Sequence, residues 1–336
     1  MENELQPYNE PHIAPAQPPQ QIQPKNNHML AASIFLSAFM LAGAWIYTAR
    51  LKNLPPDGRG TAAVLDTMDI HGDAAKNPQQ GGVALPVRWG DLGKRLVETG
   101  VINAEQFEAV YQNRDGLNEA EEQLLYGTAN GNLAINSENA GVILNLLWAL
   151  GLGNKNAILE NGPMMDPQYG GAGNFASTGG WTITKGNPMD HYSRHEFVTL
   201  TAAQQALVER VAQNIYRPCC NNSTHFPDCN HGMAMLGLLE LLASQGVTED
   251  GIYRAALAAN SYWFPDVYET IARYFAGKGI AWDNVDPKQA LGADFSSSSG
   301  FQRIQSLVPT APRKGGSSGC GVEQEVPQDG EGGCGE

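Results

Sequence analysis

The chain has 336 residues and carries 35 acidic against 21 basic side chains, a formal charge of −14. That balance argues against a nucleic-acid partner, because phosphate binding needs clustered Lys and Arg. Five cysteines are too few for a disulfide-built miniature and odd in number for a fully paired set, and the length suggests about two folding units.

Residues 1–28 are rich in Pro and Gln and nearly devoid of large aliphatic side chains. Such a segment buries too little apolar area to offset chain ordering, so a disordered leader is expected. The run MLAASIFLSAFMLAGAWIYT follows, with no charge between Lys25 and Arg50. Twenty helical residues at ~1.5 Å rise span the ~30 Å hydrocarbon core. A single transmembrane helix is therefore expected over 29–49, with Trp45 and Tyr47 near one interface. A cleaved signal peptide would have a shorter apolar run and a basic start. The flanks Arg50, Lys52 and Arg59 outweigh Lys25, which by charge counting places the C-terminal part inside. The anchor-then-domain layout and the neutral, Asn- and Gly-rich composition favour export instead. The expected location is the cell membrane, with the bulk of the chain on the extracytoplasmic face.

Residues 50–84 contain Pro55-Pro56, Gly81-Gly82 and other breakers and are expected to be a linker. The remainder reads as mainly α, in a compact domain of two helical modules joined by an ordered Gly-rich loop region. In the first module, 85–155, Trp89, Leu92, Leu96 and Val97 form a helical stripe ended by Gly100. Asn103 caps a second helix. Glu119–Tyr126 is a third helix, and Asn136 or Ser137 caps an almost wholly apolar fourth. Turn formers dominate 156–198, where Phe175 and Trp181 are expected to pack on the helices. The second module, 199–295, opens at Thr201 with Gln204 three residues on, a capping box for a helix to about Tyr216. A strongly apolar helix follows the cysteines and ends at Gly246. Thr248 caps the next helix, which stops at Pro265, and another covers Val267–Ala276. Residues 296–336, Ser- and Gly-rich and acidic, are expected to be a disordered tail holding Cys320 and Cys334.

The chemistry concentrates in RPCCNNSTHFPDCNHGM, residues 217–233, which holds Cys219, Cys220, Cys229, His225 and His231. With Asp228 or Asn230 as N-cap, Cys229 and His231 fall in the first helical turn. Unpaired N–H groups there carry about half a positive charge and favour a thiolate. The short loop should bring Cys219 or Cys220 to Cys229. Three arrangements fit. One is a disulfide staple, in which the protein is structural and the loop 156–198 recognises a protein partner. The second is a metal site built from Cys219, Cys220, Cys229 and His231, completed by His191 and His195 if those two share a helical face. Thiolates with imidazole suit Zn, and thiolates with the thioethers of Met233 and Met235 suit Cu. The third is a thiol-redox centre. No phosphate-binding loop or nucleophile elbow occurs, so no nucleotide cofactor is expected. His195-Glu196 lacks the second histidine of a zincin helix.

The runs PVRWGDLGKRLVETGVI, NLLWALGLGNKN, FASTGGW and RPCCNNSTHFPDCNHGMAMLGLLELLASQG resemble an uncharacterised family of single-pass membrane-anchored bacterial proteins. The resemblance covers most of residues 85–275, and its PCC…FPDCNHGM block is the most specific part. It implies an anchor and a shared cysteine block, and no catalysis.

Overall fold

The computed structural model describes residues 82–308. The leader, the apolar run at 29–49 and most of the linker lie outside these residues, as do Cys320 and Cys334. Among the described residues, no helix is long and apolar enough to cross a membrane.

The first element is a strand, β1 (Val83–Gly90), not the linker end and helix start expected there. Val83, Leu85, Val87 and Trp89 point inward and their neighbours outward, the period-two pattern of a half-buried strand. It pairs antiparallel with β2 (Asn130–Ile135), from Val83 opposite Ile135 to Gly90 opposite Asn130. The register shifts between Ala84 and Arg88, where Pro86 has no N–H to give the ladder. Helix α1 (Leu92–Thr99) closes at Gly100 in the left-handed conformation. Helix α2 (Ala104–Ala109) is capped by Asn103, and α3 (Glu119–Tyr126) by a capping box on Asn118.

The centre of the fold is α4 (Ala140–Gly153) against α7 (Asn230–Ser244), both buried along nearly their whole length. Asn139, rather than Asn136 or Ser137, is the N-cap of α4. The two helices touch at glycines. A Cβ on Gly151 would lie 2.2 Å from the carbonyl oxygen of Met233, and one on Gly237 2.3 Å from that of Leu147. Backbones this close leave no room for a side chain on either helix.

The loop region contains α5 (Ala157–Asn161) and a series of single 3₁₀ turns. Trp181 packs on Trp148 of α4 at 4.3 Å between ring centres with the rings tilted by 35°, as expected of a loop folded onto the helices. Phe175 packs against the core as well and also meets the rings of Tyr169 and Phe226. Helix α6 (Ala202–Ala212) starts at the Thr201 capping box and ends four residues earlier than its sequence suggests. Thr248 caps α8 (Glu249–Trp263), and Pro265 opens α9 (Pro265–Gly277) at the position where its missing N–H costs nothing.

The expected disordered tail is folded over its first part: α10 (Pro287–Leu291) and α11 (Ala293–Ser296) lead into α12 (Ser298–Leu307). The serines there are structural. Ser297 accepts from the N–H of Gly300, and buried Ser296 donates to the carbonyl of Ala290 and meets the Tyr268 hydroxyl at 2.7 Å.

Candidate metal centre

The site lies where the chain leaves α6 and turns back into α7. The turn is fixed by backbone. The N–H of Thr224 donates to the carbonyl of Ile215 and that of His225 to Ala212. It is tied to three further elements: Tyr216 N–H donates to Leu291 of α10, Ser298 N–H of α12 to Cys220, and Ser177 N–H of the loop region to Asp228. Within this frame the sulfurs of Cys219 and Cys229 come to 3.4 Å.

Cys229 is itself the N-cap of α7, one residue away from either cap expected, and its sulfur accepts from the N–H of Gly232. It also accepts from Nε of Arg217 at 3.1 Å. Arg217 is 1% exposed. Its Nη1 donates to the carbonyl of Asn222 at 3.0 Å, and its Nη2 to the carbonyl of Phe226 at 2.8 Å and to the Asp228 carboxylate. The other Asp228 oxygen accepts from the Asn222 amide at 2.8 Å. The guanidinium fits because residue 232 is glycine: a Cβ there would lie 2.5 Å from its carbon.

These contacts set the charges. Hydrogen bonds from Cys219 and Cys220, and then the Arg217 cation, hold the Cys229 thiol well below its usual range, against the effect of burial. Cys219 is pushed up by its hydrogen bonds to the other two sulfurs and by burial. Cys220 is pushed up to about 11. Its hydrogen bond with Cys219 works the other way, and the bond to Cys229 together with burial outweighs it. Burial also raises the Asp228 carboxyl, with Arg217 opposing.

Two donor groups result. The ligand atoms of Cys219, Cys229 and His231 lie within 4.8 Å of one another, as do those of Cys220, Asp228 and Cys229. These groups could hold a metal ion. The His231 ring is fixed by Phe264 at 4.4 Å and Trp263 at 6.1 Å between centres. A tetrahedral Zn²⁺ with sulfur at ~2.3 Å sets two thiolates roughly 3.8 Å apart, close to the separation seen. Among the described residues there is no disulfide: Cys219, Cys220 and Cys229 are free, and 3.4 Å is far beyond a ~2.05 Å sulfur–sulfur bond. The staple expected as one alternative is therefore absent.

His191 and His195 do not belong to either donor group. His191 lies in a turn and His195 in an isolated bridge to Asn154, so no helical face joins them, and they meet each other, with Nδ1 of His191 3.2 Å from Nε2 of His195. Nε2 of His191 lies 3.0 Å from the carbonyl oxygen of Lys185. Met233 and Met235 are part of the hydrophobic core.

Sequence reasoning missed Arg217 and gave Asp228 the wrong task. The available signal was one basic residue beside two thiols in a stretch whose only other charge is Asp228. No protein-family model, curated protein or solved structure matches the chain.

Proposed function

We propose that the chain is a membrane-anchored metal-binding protein whose centre takes a divalent, thiophilic metal, Zn²⁺ by preference, on Cys219, Cys229 and His231. The observation that carries this reading is the convergence of two sulfurs and one imidazole within 4.8 Å. Both sulfurs come from a turn tied by backbone hydrogen bonds to three other elements. Charge selects between Zn and Cu. Arg217 and Asp228 neutralise each other, so once a metal has displaced the Cys219 proton the two sulfurs present two negative charges. A divalent ion cancels them, whereas Cu(I) leaves one uncompensated in a half-buried site. Three protein ligands leave a fourth position for water or an exchanging thiol, as in open zinc sites. The apolar run at 29–48 supports the anchor.

The test uses the full-length chain with Cys320→Ser and Cys334→Ser, so that the tail thiols do not compete. Co²⁺ binding is followed by its thiolate charge-transfer absorption. The band is expected in this background, lost on Cys229→Ser, weakened on His231→Ala, and unchanged on His191→Ala or His195→Ala. A band indifferent to Cys229→Ser would refute the site.

A second reading, a thiol-redox centre, is favoured by the 3.4 Å approach of Cys219 to a thiolate-type Cys229. The Cys229 thiolate attacks oxidised glutathione and expels one glutathione thiolate, and Cys219 then displaces the second glutathione, which takes the Cys219 proton, to leave a Cys219–Cys229 disulfide. It predicts loss of two titratable thiols on mild oxidation of the metal-free chain, blocked by bound Zn²⁺.

A further inference from the structure

The two donor groups share Cys229. One shared thiolate between two sets of ligands is the layout from which a two-metal thiolate cluster can be built, with the common sulfur as bridge. The second set here is not free to act that way. Its carboxylate is committed, one oxygen to Arg217 and the other to the Asn222 amide. Its shared sulfur accepts from Arg217 Nε on the same flank. The guanidinium is almost wholly removed from solvent and cannot give up its charge. It is gripped by the carbonyls of Asn222 and Phe226, and it lies in a gap that any side chain at Gly232 would fill.

We infer that Arg217 is a built-in cation occupying the Cys220–Asp228–Cys229 group, so that the centre is limited to one metal ion, held by Cys219, Cys229 and His231. This rests on the metal-centre reading above and adds to it the stoichiometry and the residue that sets it. A metal ion entering the second group would have to displace a planar, multiply bonded guanidinium or sit beside it as a like charge in a poorly solvated space. Cys220 is then a bystander to metal binding, although it lies next to Cys219 in sequence and within reach of Cys229. Its sulfur has the Asn222 carbonyl and the Asp228 carboxylate as its long-range polar neighbours, at 3.9 and 4.0 Å.

Equilibrium dialysis against Cd²⁺ alone, with metal and protein counted separately, tests this on the full-length chain carrying Cys320→Ser and Cys334→Ser. One ion per chain is expected. Adding Cys220→Ser should leave that ratio unchanged, while adding Cys219→Ser should weaken binding by about tenfold or more. Arg217→Met, checked for folding by circular dichroism, should admit a second ion. Two ions in the unaltered centre would overturn the inference while leaving the metal reading intact, and so would tenfold weaker binding on Cys220→Ser. A folded Arg217→Met that still takes one ion would also overturn it. If Arg217→Met does not fold, the first two ratios decide. No binding at all would instead remove the metal reading and this inference with it.

Discussion

Glu121, Arg217 and Glu240 are each exposed to 2% or less. The first meets Arg114 at 2.8 Å and the second meets Asp228, but among the described residues Glu240 meets no cation. It receives two amides instead, Asn154 Nδ2 at 3.0 Å and Asn156 Nδ2 at 2.5 Å. Burial pushes its carboxyl well above the usual range, and the two amides only partly oppose this. Neither asparagine can turn over. Asn154 Oδ1 accepts from the N–H groups of Phe197 and Val198, and Asn156 Oδ1 from that of Ile158. Glu240→Gln would therefore set an NH₂ against a donor, at a cost of about 1–3 kcal/mol.

The cost should depend on pH. The unfolded carboxyl ionises near ~4.3, while the folded one ionises only at a higher pH. Wild-type stability is thus fully present below that value and falls as pH rises toward the raised folded pKa. The glutamine variant has no such loss. Urea unfolding across this range should show the variant's deficit largest in acid and shrinking upward, and a deficit that grows with pH would contradict the assignment. At this same scale the sequence showed the sulfurs and His231, because donor type and spacing are written in it. Arg217 was hidden because burial of a charge depends on contacts among residues 222–232 that only the folded turn creates.

Among the elements, helices with polar caps were the most legible. Asn103, Thr201 and Thr248 each accept a hydrogen bond from the N–H three residues on, a local event set by neighbouring residues. Thr201→Ala should cost about 1 kcal/mol, read as a lower urea midpoint. The contact between α4 and α7 is less forgiving. Gly237→Ala places a methyl 2.3 Å from a helix backbone oxygen, and the expected loss is about 1–3 kcal/mol or more. Near-equal costs for the two variants would mean that α7 can slide away from α4. Elements that depend on distant chain were misread for that reason. Trp89, Leu92 and Leu96 fit a helical stripe, but β2, about forty residues on, supplies the ladder that makes Trp89 part of a strand. Pro86 further weakened the strand signal, and the bulge that tolerates it is a tertiary feature. The serines at 296–299 look like a solvated tail by composition. Tyr268 and Asn221 give them partners that are remote in sequence, and Ala290 adds one six residues back.

For the whole molecule, the position of the centre decides how a bound ion would be felt. The cysteine turn is joined to α10, α12 and the loop region by backbone hydrogen bonds. Its last residue begins α7, the helix against which α4 packs. Freeing the turn therefore means disturbing the core, so metal binding should raise the midpoint of global unfolding rather than tighten one loop. An ion held at a hundred times its dissociation constant adds about 2.7 kcal/mol to the folded state. For a domain of this size, 1 kcal/mol moves the thermal midpoint by ~2–4 °C, which gives an expected rise of roughly 5–11 °C with Zn²⁺. A chelator should reverse the rise, and Cys229→Ser should abolish it. His191→Ala should leave it intact, because that imidazole faces His195 and not the sulfurs. A midpoint unmoved by saturating Zn²⁺, with binding confirmed in the same sample, would show that the turn opens independently of the core.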